Sequence, residues 1–164
     1  IFDIADIMSS LPNNIELLVV GDGLDRERLI KQSKECNWND RLFLTGYVPP
    51  KEVPDYMRAM DCLVVGSKTT SAWVDTFPNV VAQAMLLAIP VIGSSSGAIP
   101  FILGGLGLVF NESNQDELKQ YIVELFSNPD LSTKIGNQLR ERAIPEFSIT
   151  SINNSFFSFI TNNI

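Results

Sequence analysis

Ile15-Glu16-Leu17-Leu18-Val19-Val20-Gly21-Asp22-Gly23 is a short, β-branched apolar run closed by a glycine turn, the pattern of a buried parallel strand that ends abruptly. Four further runs of the same kind follow at residues 42–45, 62–65, 90–93 and 107–110. Helical spacing fills the intervals: residues 25–36, residues 51–60 after the stop at Pro49-Pro50, residues 79–88, and a short piece over 98–103. Parallel neighbours need crossover connections and helices supply them. The alternation therefore predicts an α/β domain on a doubly wound, Rossmann-like parallel sheet. Ligands of such sheets sit at the carboxyl ends of the strands, where glycine turns feed helix N-termini.

Beyond Phe110 only helices are expected, over 115–127, over 130–143 between Pro129 and Pro145, and from about 150 onward. The last of these carries Phe156, Phe157 and Phe159. That is more aromatic surface than a free terminus needs, so a helix over about 148–164 is expected to pack on a missing N-terminal domain. At the other end, residues 2–8 read as a helix with no strand ahead of it, whereas the first strand of a doubly wound sheet lies in the sheet's middle. The expectation is a single domain, 1–164, taken from a longer two-domain protein and lacking its first strand. The absence of an initiating methionine points the same way.

Composition removes several classes of function. The 164 residues are 45% hydrophobic, enough for one globular core. Nineteen acidic against twelve basic residues give a net charge of −7, a field that repels phosphate backbones, so no nucleic acid partner is expected. The chain has no histidine, which excludes Ser-His-Asp hydrolysis, imidazole general bases and most zinc sites. Cys36 and Cys62 have no paired spacing for a metal or a disulfide, and a reducing, cytoplasmic setting is the simpler reading. No apolar run reaches the roughly 18 residues of a transmembrane helix, and the start lacks a signal peptide's basic region.

Between residues 61 and 100 several weak signals occur in a fixed order. Tyr56-Met57-Arg58-Ala59-Met60-Asp61 precedes a strand ending at Gly66-Ser67. Then come Asp75-Thr76-Phe77-Pro78-Asn79-Val80-Val81-Ala82-Gln83-Ala84-Met85, Ile89-Pro90-Val91-Ile92 and Ser96-Gly97-Ala98-Ile99-Pro100. With Val20-Gly21-Asp22-Gly23 and Phe43-Leu44-Thr45-Gly46-Tyr47-Val48 upstream, this set resembles the retaining, nucleotide-sugar-dependent group 1 (family 4) glycosyltransferases. The resemblance covers about residues 5–150. It implies the C-terminal, donor-binding half of the two-domain GT-B architecture, a nucleotide-sugar donor, a glycan or lipid-linked acceptor held by the missing N-terminal domain, and no metal or other cofactor. It also implies a cytoplasmic protein, brought to the inner face of a membrane only through that missing domain.

Physical reasoning gives the same residues work. Entry into a helix through Phe77-Pro78-Asn79 leaves unpaired N–H groups and a positive dipole end at the sheet's carboxyl edge, a natural seat for a diphosphate. Pro78 lacks an N–H where that donor is expendable. The resemblance assigns Asp75 to the hydroxyls of the transferred sugar, Gln83 to the ribose, and Gly46, Tyr47 and Val48 to the nucleobase. Ser67, Phe77, Pro78, Asn79 and Val80 complete the donor set. Two positions depart from the family's glutamates. Aspartate at 75 shortens the arm, and a misplacement of about 1 Å can cost roughly 100-fold in rate. Glutamine at 83 keeps an acceptor without the charge, an expected loss of about 1 kcal/mol in donor affinity. The family's diphosphate-binding arginine and lysine follow the first strand, and Lys68 matches neither. By itself the chain is expected to bind donor weakly and transfer nothing.

Plainer readings stand beside these. Gly21-Asp22-Gly23 is also an ordinary turn with Asp22 or Asp25 capping a helix. Asp75 could be a cap, Gln83 an exposed edge residue, and Trp73 a loop anchor. At the level of function, a degenerate, non-catalytic domain that binds a nucleotide sugar or a partner competes with the transferase.

Overall fold

The computed structural model describes residues 1–151 and 153. Its elements in chain order are α1 (Phe2–Ile7), β1 (Leu17–Val19), α2 (Arg26–Glu35), β2 (Leu42–Leu44), α3 (Val53–Arg58), β3 (Leu63–Val65), α4 (Asn79–Leu86), β4 (Val91–Ser94), α5 (Ile99–Leu103), β5 (Leu108–Phe110), α6 (Gln115–Ser127) and α7 (Pro129–Phe147). The five expected strands are present, and every strand pair is parallel. The fold is the Rossmann-like α/β class expected from the sequence.

The strands form two groups. β1 pairs with β2 in register Leu18 to Phe43, while β4 lies between β3 and β5, with Ile92 opposite both Val64 and Leu108. β1 and β3 do not pair. A cavity of about 600 Å³ lies between them, lined by Leu17, Val19, Leu63, Met57, Ile4 and Val80 among others. This is the position that a doubly wound strand order gives to its first strand.

β4 is the buried centre of the three-stranded group: Val91, Ile92, Gly93 and Ser94 are all enclosed. α4 covers one face. It buries Val81, Ala82, Ala84 and Met85 and leaves Asn79, Val80 and Gln83 outward, positions related by three and four residues on one face. α7 packs on α4 at close range because Gly136 has no side chain there; a Cβ would overlap the carbonyl oxygen of Ala88. α1 packs against α6 and α2, where Asp6 accepts hydrogen bonds from Gln32 Nε2 and Gln115 Nε2, both at 2.7 Å. Arg41, just ahead of β2, gathers the carbonyls of Met8, Leu11, Pro12 and Ile15, which ties the turn after α1 to the start of β1.

Two sequence expectations need correction. Pro145 does not end its helix, because α7 runs on to Phe147 with the proline inside it. Proline removes one N–H from the ladder, but Glu141, whose carbonyl would have received it, and Pro145 itself are both exposed. The turn beyond is held from outside by Arg142 Nη1 on Glu146 Oε1 at 3.1 Å and by Phe147 edge-on to Phe77 at 5.8 Å. The second correction is that α3 starts at Val53, not at residue 51, with Pro54 in its first turn. The expected helix over about 148–164 lies mainly outside the described residues.

Candidate functional site at the carboxyl edge of the sheet

Within each group the strands are parallel, so their carboxyl ends share an edge, and the predicted site residues follow those ends. After β1 and β2 the chain makes a small antiparallel bridge between Gly21 and Gly46, with the Gly21 N–H donating to Thr45 Oγ1 at 3.2 Å. This fixes the turn that presents Tyr47, which is 77% exposed, and the half-buried Val48. Asp22 Oδ1 accepts from the Gly23 N–H at 2.8 Å, and Asp25 sits at the N-cap of α2 without a side-chain cap bond. The acids of this turn therefore shape the loop rather than cap the helix.

The segment between β3 and α4 holds the remaining candidates and is tied down at several points. Ser67 Oγ donates to Asp75 Oδ2 at 3.1 Å, while the Ser67 carbonyl accepts from Ser94 Oγ at 2.6 Å. Asp75 is further held by its backbone, its carbonyl accepting from the Ala98 N–H at 2.9 Å. Gly97 makes that approach possible: its φ is +53°, and any Cβ would overlap the Asp75 carbonyl. Lys68 Nζ pairs with Asp3 Oδ1 at 2.9 Å, and Asp3 is buried at the start of α1. The lysine is thus committed to the protein.

α4 opens after Pro78, which is extended at φ −70°, ψ 94° and carries no capping side chain. Pro78 is buried, whereas Asn79 and Val80 at the helix mouth and Gln83 one turn later are exposed. The Val81 N–H turns back to the Pro78 carbonyl at 2.9 Å. Phe77 keeps 45% of its surface exposed while its ring rests on Phe147. Ser67 and Asp75 are therefore bonded to each other just ahead of α4, while Gly46, Tyr47 and Val48 follow the end of β2 and, like Asn79 and Gln83, make no hydrogen bond to that pair among the described residues. Val80 borders the cavity between β1 and β3 together with Leu17 to Val20.

Glu112, two residues past β5, has no precedent in the sequence reading. Its Oε2 accepts from the Thr69 N–H at 2.9 Å, its own N–H donates to Ser95 Oγ at 3.1 Å, and Thr69 Oγ1 bonds the fully buried Ser96 Oγ at 2.9 Å. The Thr69 N–H and hydroxyl, with Lys68 nearby, hold its carboxyl below the usual glutamate range. No motif spacing announces a glutamate that far from residue 69. At Cys62, in contrast, burial pushes the thiol up to about 12, away from the reactive thiolate. A second cavity, about 290 Å³, lies at the opposite edge against Asp61, Pro90 and Asn137.

Comparison with known proteins bears on the family and the fold. Residues 3–142 match the family model of the glycosyl transferases group 1. A relative described as the GDP-mannose-dependent alpha-(1-6)-phosphatidylinositol monomannoside mannosyltransferase of Mycobacterium tuberculosis is 28% identical over 129 residues, 76% of this chain and 34% of that protein. The chain thus spans about a third of that relative's length. Among solved structures, Anabaena Alr3699/HepE in complex with UDP superposes with a TM-score of 0.88 at 20% identity, over 98% of this chain and 44% of that one. The C-terminal domain of the group 1 glycosyl transferase family protein LpcC from Francisella tularensis gives a TM-score of 0.76 at 20% identity, over 90% and 78% of the two chains. The fold is that of a GT-B glycosyltransferase's C-terminal domain.

Proposed function

The chain belongs to the group 1 glycosyl transferases, and we propose that it is the donor half of a longer enzyme that moves a hexose from a nucleoside diphosphate to a glycan or lipid-linked acceptor with retained configuration. The observation that carries this reading is the Asp75 carboxylate, held by Ser67 Oγ and by the Ala98 N–H on its own backbone, beside the uncapped mouth of α4. Unpaired amides at a helix start attract a diphosphate. A neighbouring fixed carboxylate can accept from sugar hydroxyls as positive charge develops at the anomeric carbon. Gln83, outward on the next turn, faces the ribose, and Gly46 to Val48 border the base. The leaving diphosphate assists removal of the acceptor's proton. The scheme needs no metal ion.

The cavity between β1 and β3 supports the view that more protein belongs with this half. Each strand offers an open parallel edge to it, and α1 begins at the carboxyl edge, where Asp3 meets Lys68. A strand leading into α1 would run parallel to both and join the two groups. On this reading an acceptor-binding domain would fill the length that the relatives have beyond this half, and the enzyme would work in the cytoplasm, at the inner face of a membrane when its acceptor is lipid-linked.

The M. tuberculosis relative is GDP-mannose-dependent and the Anabaena neighbour holds UDP, so both bases belong in the test. Calorimetry of the chain with UDP, GDP and ADP is expected to give one preferred base with a Kd near 1 mM, about −4 kcal/mol, as weak binding without the missing cations requires. No heat from any of the three, together with no sugar transfer by the complete protein, would refute the proposal. A non-catalytic donor-binding domain is favoured if a base binds and the complete protein transfers nothing.

A further inference from the structure

We propose that Glu112 is a positioning residue for Asp75, acting as the outer latch of the segment 67–75. The inference rests on the donor reading above. The segment leaves the sheet after β3, carries the exposed Trp73 and Val74 at its far end, and returns to α4. Among the described residues its tip closes on itself, through Thr70 Oγ1 and the backbone of Ala72 and Trp73. What fixes the segment to the sheet lies on either side of that tip. On the return side are the bonds of Asp75 to Ser67 and Ala98. On the outgoing side are Lys68 on Asp3, and Thr69 between Glu112 and Ser96.

The outgoing tie is the one that reaches the carboxylate. Ser67, the hydroxyl donor to Asp75 Oδ2, is two residues from Thr69. Glu112 fastens the Thr69 backbone, and Ser96 fastens the Thr69 side chain from the strand end that also supplies Gly97 and Ala98 beneath Asp75. Glu112 is itself anchored, since its N–H donates to Ser95 Oγ and the Ser95 N–H donates to the Phe110 carbonyl at 2.8 Å. The carboxyl ends of β3, β4 and β5 are thereby cross-linked, and Asp75 is bonded to this network at Ser67 and Ala98. Release of Thr69 frees Ser67 from one side and lets the Asp75 carboxylate swing. A carboxylate that must meet sugar hydroxyls loses its effect when its position wanders.

Three proteins test this: the wild type, Glu112→Ala, and Glu112→Gln, whose amide oxygen can still accept from Thr69. Two readouts are taken on each. The first is amide hydrogen exchange at Thr69 and Ala98, with β4 amides as the internal reference for folding. The second is the affinity gained by adding the hexose, measured as the Kd ratio of UDP to UDP-glucose and of GDP to GDP-mannose. Glu112→Ala is expected to expose the Thr69 amide, speed exchange at Ala98, and cut the hexose gain about tenfold, the size of one charge-assisted hydrogen bond, with diphosphate affinity unchanged. Glu112→Gln should restore most of the protection and of the gain. Unchanged protection at Ala98 in Glu112→Ala overturns the latch, as does an equal loss for the diphosphate and its hexose conjugate. Should the wild type bind none of the four ligands, the exchange data alone decide the latch, and the donor reading is decided separately by sugar transfer in the complete protein.

Discussion

Asp75→Ala in the complete transferase is expected to lower kcat by about 10³-fold while changing the donor KM only a few-fold, because a preorganised group aimed at developing charge acts mainly in the transition state. The side chain is half-buried and receives the Ser67 hydroxyl at 3.1 Å, so its removal deletes a held carboxylate rather than a mobile one. Asp75→Asn keeps the shape and an acceptor oxygen but drops the charge. It should fall between the two, roughly 10²-fold down. Asp75→Glu restores the longer family side chain, and its effect separates two accounts of the short arm. If the bond from the Ala98 N–H to the Asp75 carbonyl has already moved the backbone to compensate, Asp75→Glu slows the enzyme; if it has not, the variant is faster. Steady-state kinetics on the three variants checks all of this. Equal losses in kcat for Asp75→Ala and for an exposed control such as Thr76→Ala would remove Asp75 from the chemistry.

Gly136→Ala is expected to destabilise the chain by about 3 kcal/mol, the upper range for overpacking a tight contact. For a domain of this size that lowers Tm by roughly 10 °C. The new methyl would overlap the carbonyl oxygen of Ala88 and approach the Pro90 ring. Both are fixed, the first as backbone and the second by entry into β4, so α7 must shift away from α4. The loss is not confined to stability. Phe147 on α7 supports Phe77 at the mouth of α4, so the same shift should loosen the donor edge. Gly23→Ala is the matched control, because nothing stands within 4 Å of its Cβ position and its φ is not in the left-handed region. Thermal melts of the two variants decide the matter, and a Gly136→Ala protein as stable as Gly23→Ala would mean that the helices separate without cost.

The two predictions draw on parts of the molecule that the sequence reveals unequally. Alternation of apolar runs with helical spacing is a local property, and all five strands and the helices of the α/β unit could be read from it. The run from Ile15 to Val20 shortens to Leu17–Val19 only because strand ends are set by pairing, which a sequence does not display. Pro145 misleads for a related reason: its local effect is to end a helix, but Arg142–Glu146 and Phe77–Phe147 are tertiary contacts that carry the helix past it. At the candidate site, residues 75–83 stand out in the sequence because they lie in one ordered stretch. Glu112 and Ser96 lie 43 and 27 residues from their partner Thr69, and a hydrogen bond across that separation has no periodicity or composition to mark it. The structure also accounts for Lys68, which no sequence pattern placed, by giving it the buried Asp3.

The central claim is that a nucleoside diphosphate sits at the carboxyl edge of the sheet, between the Gly46–Val48 turn and the mouth of α4. Titration of the ¹⁵N-labelled chain with UDP and, separately, GDP, followed by amide chemical shifts, tests it most directly. The account predicts saturable shifts at Gly46, Tyr47, Val48, Ser67, Asn79, Val80 and Gln83, with the amides around Asp61, Pro90 and Asn137 at the opposite edge unmoved. Shifts centred on that opposite cavity, or a carboxyl edge that stays silent while ligand binds elsewhere, would contradict it.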